Sequence, residues 1–390
     1  MRALVVGAGA MGREWLRAVA DSPSVTLAGV VDVDLAAANR AAAGAPAART
    51  VTELAPAADF VIDATVPAAH FAVTTEALRL GLPVLGEKPL AETLPQALAL
   101  AALSELTGTL FAVSQSRRYD PHLSAFRSQI EGLGQVGSLT TEFYRGSRFG
   151  GFREKMPHPL LLDMAIHAFD TARYLLADEP IQVYCDAYNP PWSWFDGAAS
   201  AHATFRFAGG ARYHYSASWC GTGFDTSWNA TWRATAARGT ALWDGDHAPS
   251  CDTDGEVVTA PPGPAALFSE SISASLATFV DALRSGTRPA TDVHRNVLSL
   301  AMVLAAVDSA DTATPVVIDN TLATAHATAT QAAPPDLAEV LRSWPSVREA
   351  LLADRPTPST PTTSTNTPKD RAHNPIPAQA TDHPEQPSTT

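Results

Sequence analysis

Three cysteines in 390 residues, Cys185, Cys220 and Cys251, are too few and too scattered for a disulfide framework. There is no CxxC pair and no spaced Cys/His set, so no zinc site and no other metal is expected. Basic residues are also scarce: 27 Lys and Arg stand against 40 Asp and Glu, a formal net charge of -13. Sequence-independent nucleic-acid binding needs a basic face, so no nucleic-acid partner is expected. No run approaches the roughly 20 apolar residues of a membrane span. The apolar run at 3–6 is too short for the h-region of a secretory signal. Together these absences point to a soluble cytoplasmic protein with reduced cysteines and no membrane partner.

Hydrophobic residues make up 46% of the chain, and its length exceeds what one core serves, so more than one domain is expected. Up to about residue 115, short β-rich runs alternate with helical ones. Strands are expected at 3–7, 25–32, 49–51, 59–65, 82–87 and 109–115. Helices are expected at 11–20, 35–43, from Pro67 onward, and at 94–106. Such alternation, with strands apolar throughout, is that of a parallel, doubly wound sheet covered on both faces. After "RRYDP" (117–121) the rhythm changes. A helix at 122–131 precedes strands at 138–145, 181–188, 200–207, 211–218 and 229–236. Several of these alternate apolar and polar residues, as half-buried antiparallel strands do, and 207–212 reads as a hairpin turn. Helices return at 268–285 and 293–310. The expected domains are 1–120 (parallel, doubly wound), 121–320 (α+β) and 321–353 (helical extension). From 354 to 390 Pro, Thr and Ser dominate, the composition of a disordered tail.

"GAGAMG" places Gly7, Gly9 and Gly12 in G-x-G-x-x-G spacing, after a strand and before a helix. Gly7 permits the tight turn, Gly9 lets backbone approach a pyrophosphate, and Gly12 lets helix and strand pack closely. Ala10 and Met11 complete the loop at a helix N-terminus, which favours an anion. Asp32, 20 residues after Gly12, stands where a carboxylate accepts from an adenosine ribose 2′-OH. It repels a 2′-phosphate, and Val33 and Asp34 offer no arginine to hold one, so NAD is favoured over NADP. Asp34 reads as the cap of the next helix.

"LLDMAIHAFD" (161–170) carries Asp163, His167 and Asp170 at spacings that share one face of a helix, with Leu161, Leu162, Ala165, Ile166 and Phe169 opposite. Two readings stand: a polar face in water, or a base and the carboxylate that orients it, lining a cleft. "GEKPLAE" (86–92) sits at the carboxyl end of an expected parallel strand, where ligands of such sheets bind, and holds Lys88 between Glu87 and Pro89.

"GAGAMG", "DATVPAAHFAVTTEALRLGLPVLGEKPLAETL", "RRYDP" and "LLDMAIHAFD" occur in the order found in the glucose–fructose oxidoreductase / inositol dehydrogenase / rhizopine-catabolism (Gfo/Idh/MocA) family, which the chain resembles over roughly residues 1 to 320. The resemblance implies an N-terminal Rossmann domain, a C-terminal α+β domain on a large open antiparallel sheet, and a homodimer or homotetramer formed through that sheet. It implies an NAD-dependent oxidoreductase that moves a hydride between a secondary alcohol of a sugar, inositol or similar ring and the nicotinamide. By position, Lys88, Asp163 and His167 match the family's catalytic groups. Thr65, Pro67, His70 and Glu87 match its cofactor loops, with Lys88 beside them. Arg118 matches a family arginine, a structural ion pair being its rival. His167 suits the proton-accepting role, Lys88 the polarisation of the oxygen, and Asp163 the orienting of the imidazole or of a neighbouring hydroxyl. The basic, Gly-rich "RGSRFGGFREKMPHP" (145–159) is expected to lie over the substrate, with Arg153, Lys155 or His158 touching it. Among Trp192, Trp194, Trp219, Trp228 and Trp232, one or two are expected to line the pocket. The same fold also serves redox-neutral, NAD-dependent glycoside hydrolases and non-catalytic dinucleotide-sensing regulators. Retention of all three catalytic groups argues against the regulators.

Overall fold

Six short parallel strands form the first sheet: β1 (Arg2–Val6), β2 (Thr26–Val31), β3 (Ala47–Ala48), β4 (Phe60–Asp63), β5 (Val84–Gly86) and β6 (Phe111–Val113). Their order is β3-β2-β1-β4-β5-β6, so the strand order reverses beside β1, the switch point where a dinucleotide crevice opens. The computed structural model describes residues 1–263 and 268–354, all within the unit Met1–Ser359. The Pro/Thr/Ser-rich segment expected to be a tail lies, beyond Asp354, outside the described residues. The crossovers are α1 (Ala10–Asp21), α2 (Leu35–Ala42), α3 (Val51–Leu54), α4 (Pro67–Arg79) and α5 (Leu94–Thr107). Asp34 caps α2, accepting from the Ala36 amide at 2.9 Å.

One expected strand, at 49–51, is not formed. Thr50 and Glu53 make a capping box instead, and Val51 opens α3; the strand lies just before it, at Ala47–Ala48. The local cap outweighs the β-preference of Thr and Val.

Beyond α6 (Pro121–Leu133) comes a nine-stranded sheet. It contains β7 (Val136–Tyr144), β8 (Pro180–Tyr188), β9 (Ser200–Phe207), β10 (Arg212–Ser218), β11 (Thr231–Ala236), β12 (Gly239–Trp243), β13 (Ser250–Thr253), β14 (Glu256–Thr259) and β15 (Val316–Val317). All neighbours are antiparallel except β7 and β10, which run parallel. Alternation is clean where one face is buried: in β9, Ala201, Ala203, Phe205 and Phe207 point inward, and His202, Thr204 and Arg206 outward.

Helix α7 (Ile166–Leu176) lies on the inner face of this sheet, where Phe169 meets Phe205 and Tyr215 edge-on at centroid distances of 4.8 and 5.1 Å. Burying Phe169 contributes roughly 2–3 kcal/mol. Among the described residues five further helices follow: α8 (Phe268–Ser285), α9 (Val293–Thr312), α10 (Ile318–Ala332), α11 (Pro335–Ser343) and α12 (Val347–Leu352). Helix α8 returns to the first sheet: Ile272, Leu276, Phe279 and Val280 bury against Ala3, Val5, Trp15, Phe60 and Ile62. The core under the dinucleotide crevice is thus built from two distant stretches of chain. Helices α9 and α10 pack on α5, on the opposite face. Helix α7 and the turn before it thereby reach the loops after β5 and β6, through Lys88–Asp163 and Arg118–Asp170.

Candidate active site

The glycine loop between β1 and α1 shows three different demands. Gly7 has φ +100°, and a Cβ there would stand 2.7 Å from the Ala64 carbonyl oxygen. At Gly12 a Cβ would stand 1.8 Å from the Gly7 oxygen. At Gly9 it would meet nothing within 4 Å. Gly9 therefore borders open space at the N-terminus of α1, where Ala10 and Met11 begin the helix, and this suits the approach of a pyrophosphate. Asp32, just past β2, accepts from the Ala8 amide and the Asp34 amide, both at 2.8 Å, which sets the carboxylate at the edge of the crevice. The residues fit a dinucleotide.

Next to the crevice, buried Asp63 accepts from the Thr65 hydroxyl at 2.6 Å and the Thr74 hydroxyl at 3.1 Å. Pro67 starts α4, and His70 on its first turn is 2% exposed. Both of its ring nitrogens face carbonyls, Nδ1 that of Pro89 at 2.7 Å and Nε2 that of Thr65 at 3.1 Å. His70 thus ties the Thr65 loop to the Lys88 loop. Glu87 accepts from the Trp15 indole at 2.9 Å and from the Lys88 amide at 3.2 Å, and burial pushes its carboxyl up. The expected cofactor residues Thr65, His70 and Glu87 shape these loops with their side chains already engaged.

Lys88 leaves β5 toward α7. Its Nζ donates to the Asp163 carbonyl at 3.0 Å and to Asp163 Oδ1 at 3.2 Å. An ammonium has three hydrogens, so one is left for a ligand. Asp163 Oδ2 accepts from Arg153 Nε at 2.7 Å. Burial pushes the Asp163 carboxyl up, but the Lys88 and Arg153 cations outweigh it and hold the group below the usual carboxylate range. Asp163 therefore orients Lys88 and Arg153. It makes no hydrogen bond to His167, and the expectation that it aligns the imidazole is corrected.

The reason is local. Residues Leu160–Ala165 wind as a π-helical turn before α7 begins, so Asp163 and His167 are not one regular α-helical turn apart. Such turns are rare and recur at functional sites. Water does not cover this face: Asp163, His167 and Asp170 are 8%, 9% and 1% exposed. Burial pushes the His167 imidazole well below its ordinary value, and the charges of Arg117 and Lys88 push the same way. Its Nδ1 is buried without a hydrogen-bond partner, which leaves Nε2 as the nitrogen able to reach a ligand.

Two expected substrate contacts are engaged elsewhere. Arg118 pairs with Asp170 through two bonds of 2.6 and 2.7 Å, and Ser299 donates to the same carboxylate at 2.6 Å. The ion-pair alternative for Arg118 is the one found, and Asp170 is its anchor. His158 Nε2 faces Asp311 of α9 at 2.9 Å. Arg153 does reach the site, with its guanidinium over the ring of Phe152 at 4.8 Å; Lys155 is exposed. Trp219 and Trp232 are core residues, whereas Trp192 is 63% exposed. Sequence reasoning missed Arg117. It chose the second of two adjacent arginines, and only the position of Asp170 shows which one is consumed.

Comparison with known proteins fits this arrangement. Residues 1–115 match the model described as "Oxidoreductase family, NAD-binding Rossmann fold", and residues 130–242 match the GFO/IDH/MocA C-terminal domain. The chain belongs to the GFO/IDH/MocA oxidoreductase family. Within it, the uncharacterised protein y4oX of Sinorhizobium fredii is 28% identical over 355 residues, 82% of this chain and 96% of that one. An inositol 2-dehydrogenase of Corynebacterium glutamicum is 31% identical over 193 residues, 47% of this chain but only 56% of that enzyme. Among solved structures, an Agrobacterium radiobacter oxidoreductase in complex with NAD+, L-tartaric acid and magnesium superposes with a TM-score of 0.76 at 20% identity, covering 82% of this chain and 98% of that one. The six-stranded parallel sheet and the mixed, mostly antiparallel second sheet are the family's fold.

Proposed function

We propose that this chain is an NAD-dependent dehydrogenase that oxidises a secondary alcohol of a sugar, an inositol or a similar ring, with Lys88, Asp163 and His167 as its catalytic groups. The observation that carries the reading is the contact of Lys88 with Asp163. It joins the loop after β5, beside the glycine crevice, to the helix that presents a neutral imidazole. Bound at Gly7, Gly9, Ala10, Met11, Gly12 and Asp32, NAD supplies the hydride acceptor.

The protein handles the proton and the charge. With its Nδ1 protonated, His167 offers the Nε2 lone pair to the substrate hydroxyl. The third ammonium hydrogen of Lys88 donates to the same oxygen as it gains negative charge, in a site already shielded from water. Asp163 holds Lys88 in place, and Arg153 closes the far side of the carboxylate. Inositol 2-dehydrogenases among the relatives support the substrate class.

The outer face of the nine-stranded sheet supports a homo-oligomeric reading. No described helix covers it, and Tyr184 and Tyr188 on β8 stand 46% and 44% exposed. The test of function is NADH formation across a panel of sugars and inositols. Turnover with one of them, lost in Lys88→Met, fits the reading. Turnover retained in that variant contradicts it.

A further inference from the structure

Among the described residues, Arg117 is an arginine with nothing to pair with. It sits in the turn Ser116–Tyr119 that follows β6, half-buried, at the carboxyl end of the first sheet. Among the described residues its guanidinium has neither a hydrogen bond nor an ion pair, whereas its neighbour Arg118 is held by both oxygens of Asp170. Burial pushes Arg117 down to about 10, and no carboxylate among the described residues offsets it. Its charge reaches His167, as that of Lys88 does. A guanidinium taken from water without a partner is costly unless a ligand supplies the counter-charge.

The surroundings carry the same excess. Lys88 and Arg153 share one carboxylate, Asp163. Glu87, next to Lys88 in the chain, is turned onto the Trp15 indole. Residues 145–155, which lead into the site, hold Arg145, Arg148, Arg153 and Lys155 with Glu154 as the single acid, and Glu154 accepts from the Gly150 amide. Arg145 and Arg148 are spread on the rings of Trp228 and Trp194 at 4.4 and 4.0 Å; Asp225 pairs with Arg145 at 3.5 Å. Within a chain of formal net charge -13, Lys88, Arg117 and Arg153 stand at or beside this site with Asp163 as the carboxylate that pairs Lys88 and Arg153. Such focusing steers and holds an anion.

We propose that the substrate is a sugar acid, whose carboxylate pairs with Arg117 close to the hydroxyl that His167 deprotonates. This rests on the dehydrogenase reading for the identity of the site, and names the charge of what enters it. Arg117 presents a planar fork that matches a carboxylate in two bonds. Neutral polyols leave it unpaired.

The test is equilibrium binding to the full chain carrying NADH, which forms a complex that does not turn over. D-glucuronate is compared with D-glucose, and D-galacturonate with D-galactose. The acids are expected to bind on the order of tenfold tighter or more than their neutral counterparts. That ratio should fall toward one in Arg117→Gln and be partly restored in Arg117→Lys, each variant first shown to unfold in one thermal transition. Neutral sugars binding as tightly as the acids, no binding by either acid, or a preference that survives Arg117→Gln would overturn the proposal. NADH formation from NAD with the same compounds is read separately and bears only on the dehydrogenase reading.

Discussion

His167 is a base whose charge state is set by what surrounds it. In the folded chain it stays neutral as pH falls through the ordinary imidazole value of 6.5, because burial and two nearby cations push its pKa well below that. Oxidation should therefore keep its kcat/KM level across pH 6.5 and decline only at more acid pH. A pH–rate profile that bends at 6.5 would show an ordinary, solvated imidazole. The same shift affects stability. The unfolded chain takes up this proton before the folded one does, so stability falls as pH drops below 6.5 toward the folded value. His167→Leu should flatten that part of the stability curve and lower turnover by roughly 100- to 10,000-fold. Arg153→Gln removes one of the two cations that hold Asp163 below the usual carboxylate range, so Asp163 should titrate at higher pH in that variant, as read from its carboxyl NMR signal. An unmoved titration would mean that Arg153 does not hold Asp163 down. At this scale the sequence was informative about residue type and less so about partners. Motifs singled out Lys88, Asp163 and His167, but the link of Asp163 to Lys88 rather than to His167 depends on a π-helical turn that no spacing rule reveals.

The glycine loop separates fold from binding at the level of an element. A methyl at Gly12 would run into the Gly7 carbonyl, while one at Gly9 enters open space. Gly12→Ala should lower stability by about 1–3 kcal/mol or more. Gly9→Ala should melt with the wild type yet bind NAD more weakly, since its methyl occupies the approach to the helix N-terminus. Thermal unfolding and NAD titration of the two variants check this; equal effects of both on NAD binding and on melting would contradict it. Elements with a continuous apolar run or clean alternation were legible: the strands of the first sheet are buried on both faces, and β9 and β10 alternate. The short β3 was misplaced because a capping box decides it, and β12, β13 and β14 were missed because short, partly exposed strands carry little periodic signal.

Across the whole molecule, two long-range ties involve the first sheet and its loops: the Arg118–Asp170 pair, which reaches α7, and the return of α8 onto the sheet. The pair is buried, with side chains 11% and 2% exposed, and Ser299 adds a third bond. Removing one partner strands the other charge, so Arg118→Ala should cost about 3–5 kcal/mol of stability. Phe279 of α8 meets Phe60 of β4 at 5.5 Å between ring centroids and is 1% exposed; Phe279→Ala should cost about 3–5 kcal/mol. Chemical denaturation measures both, and a loss within 0.5 kcal/mol, the range of ordinary surface changes, would deny either tie its role. This long-range assembly was the least legible part. Helix α8 was expected in its place along the chain, but nothing in its own residues says that it packs back on a sheet some 200 residues earlier.

The most direct measurement of the central claim is NADH absorbance during incubation of the full chain with NAD and a panel of ring polyols and sugar acids, wild type beside His167→Leu. Steady NADH formation with at least one compound, lost in the variant while NAD still binds, is the predicted result. Turnover undiminished in His167→Leu, or tight NAD binding with no NADH from any member of the panel, would contradict it.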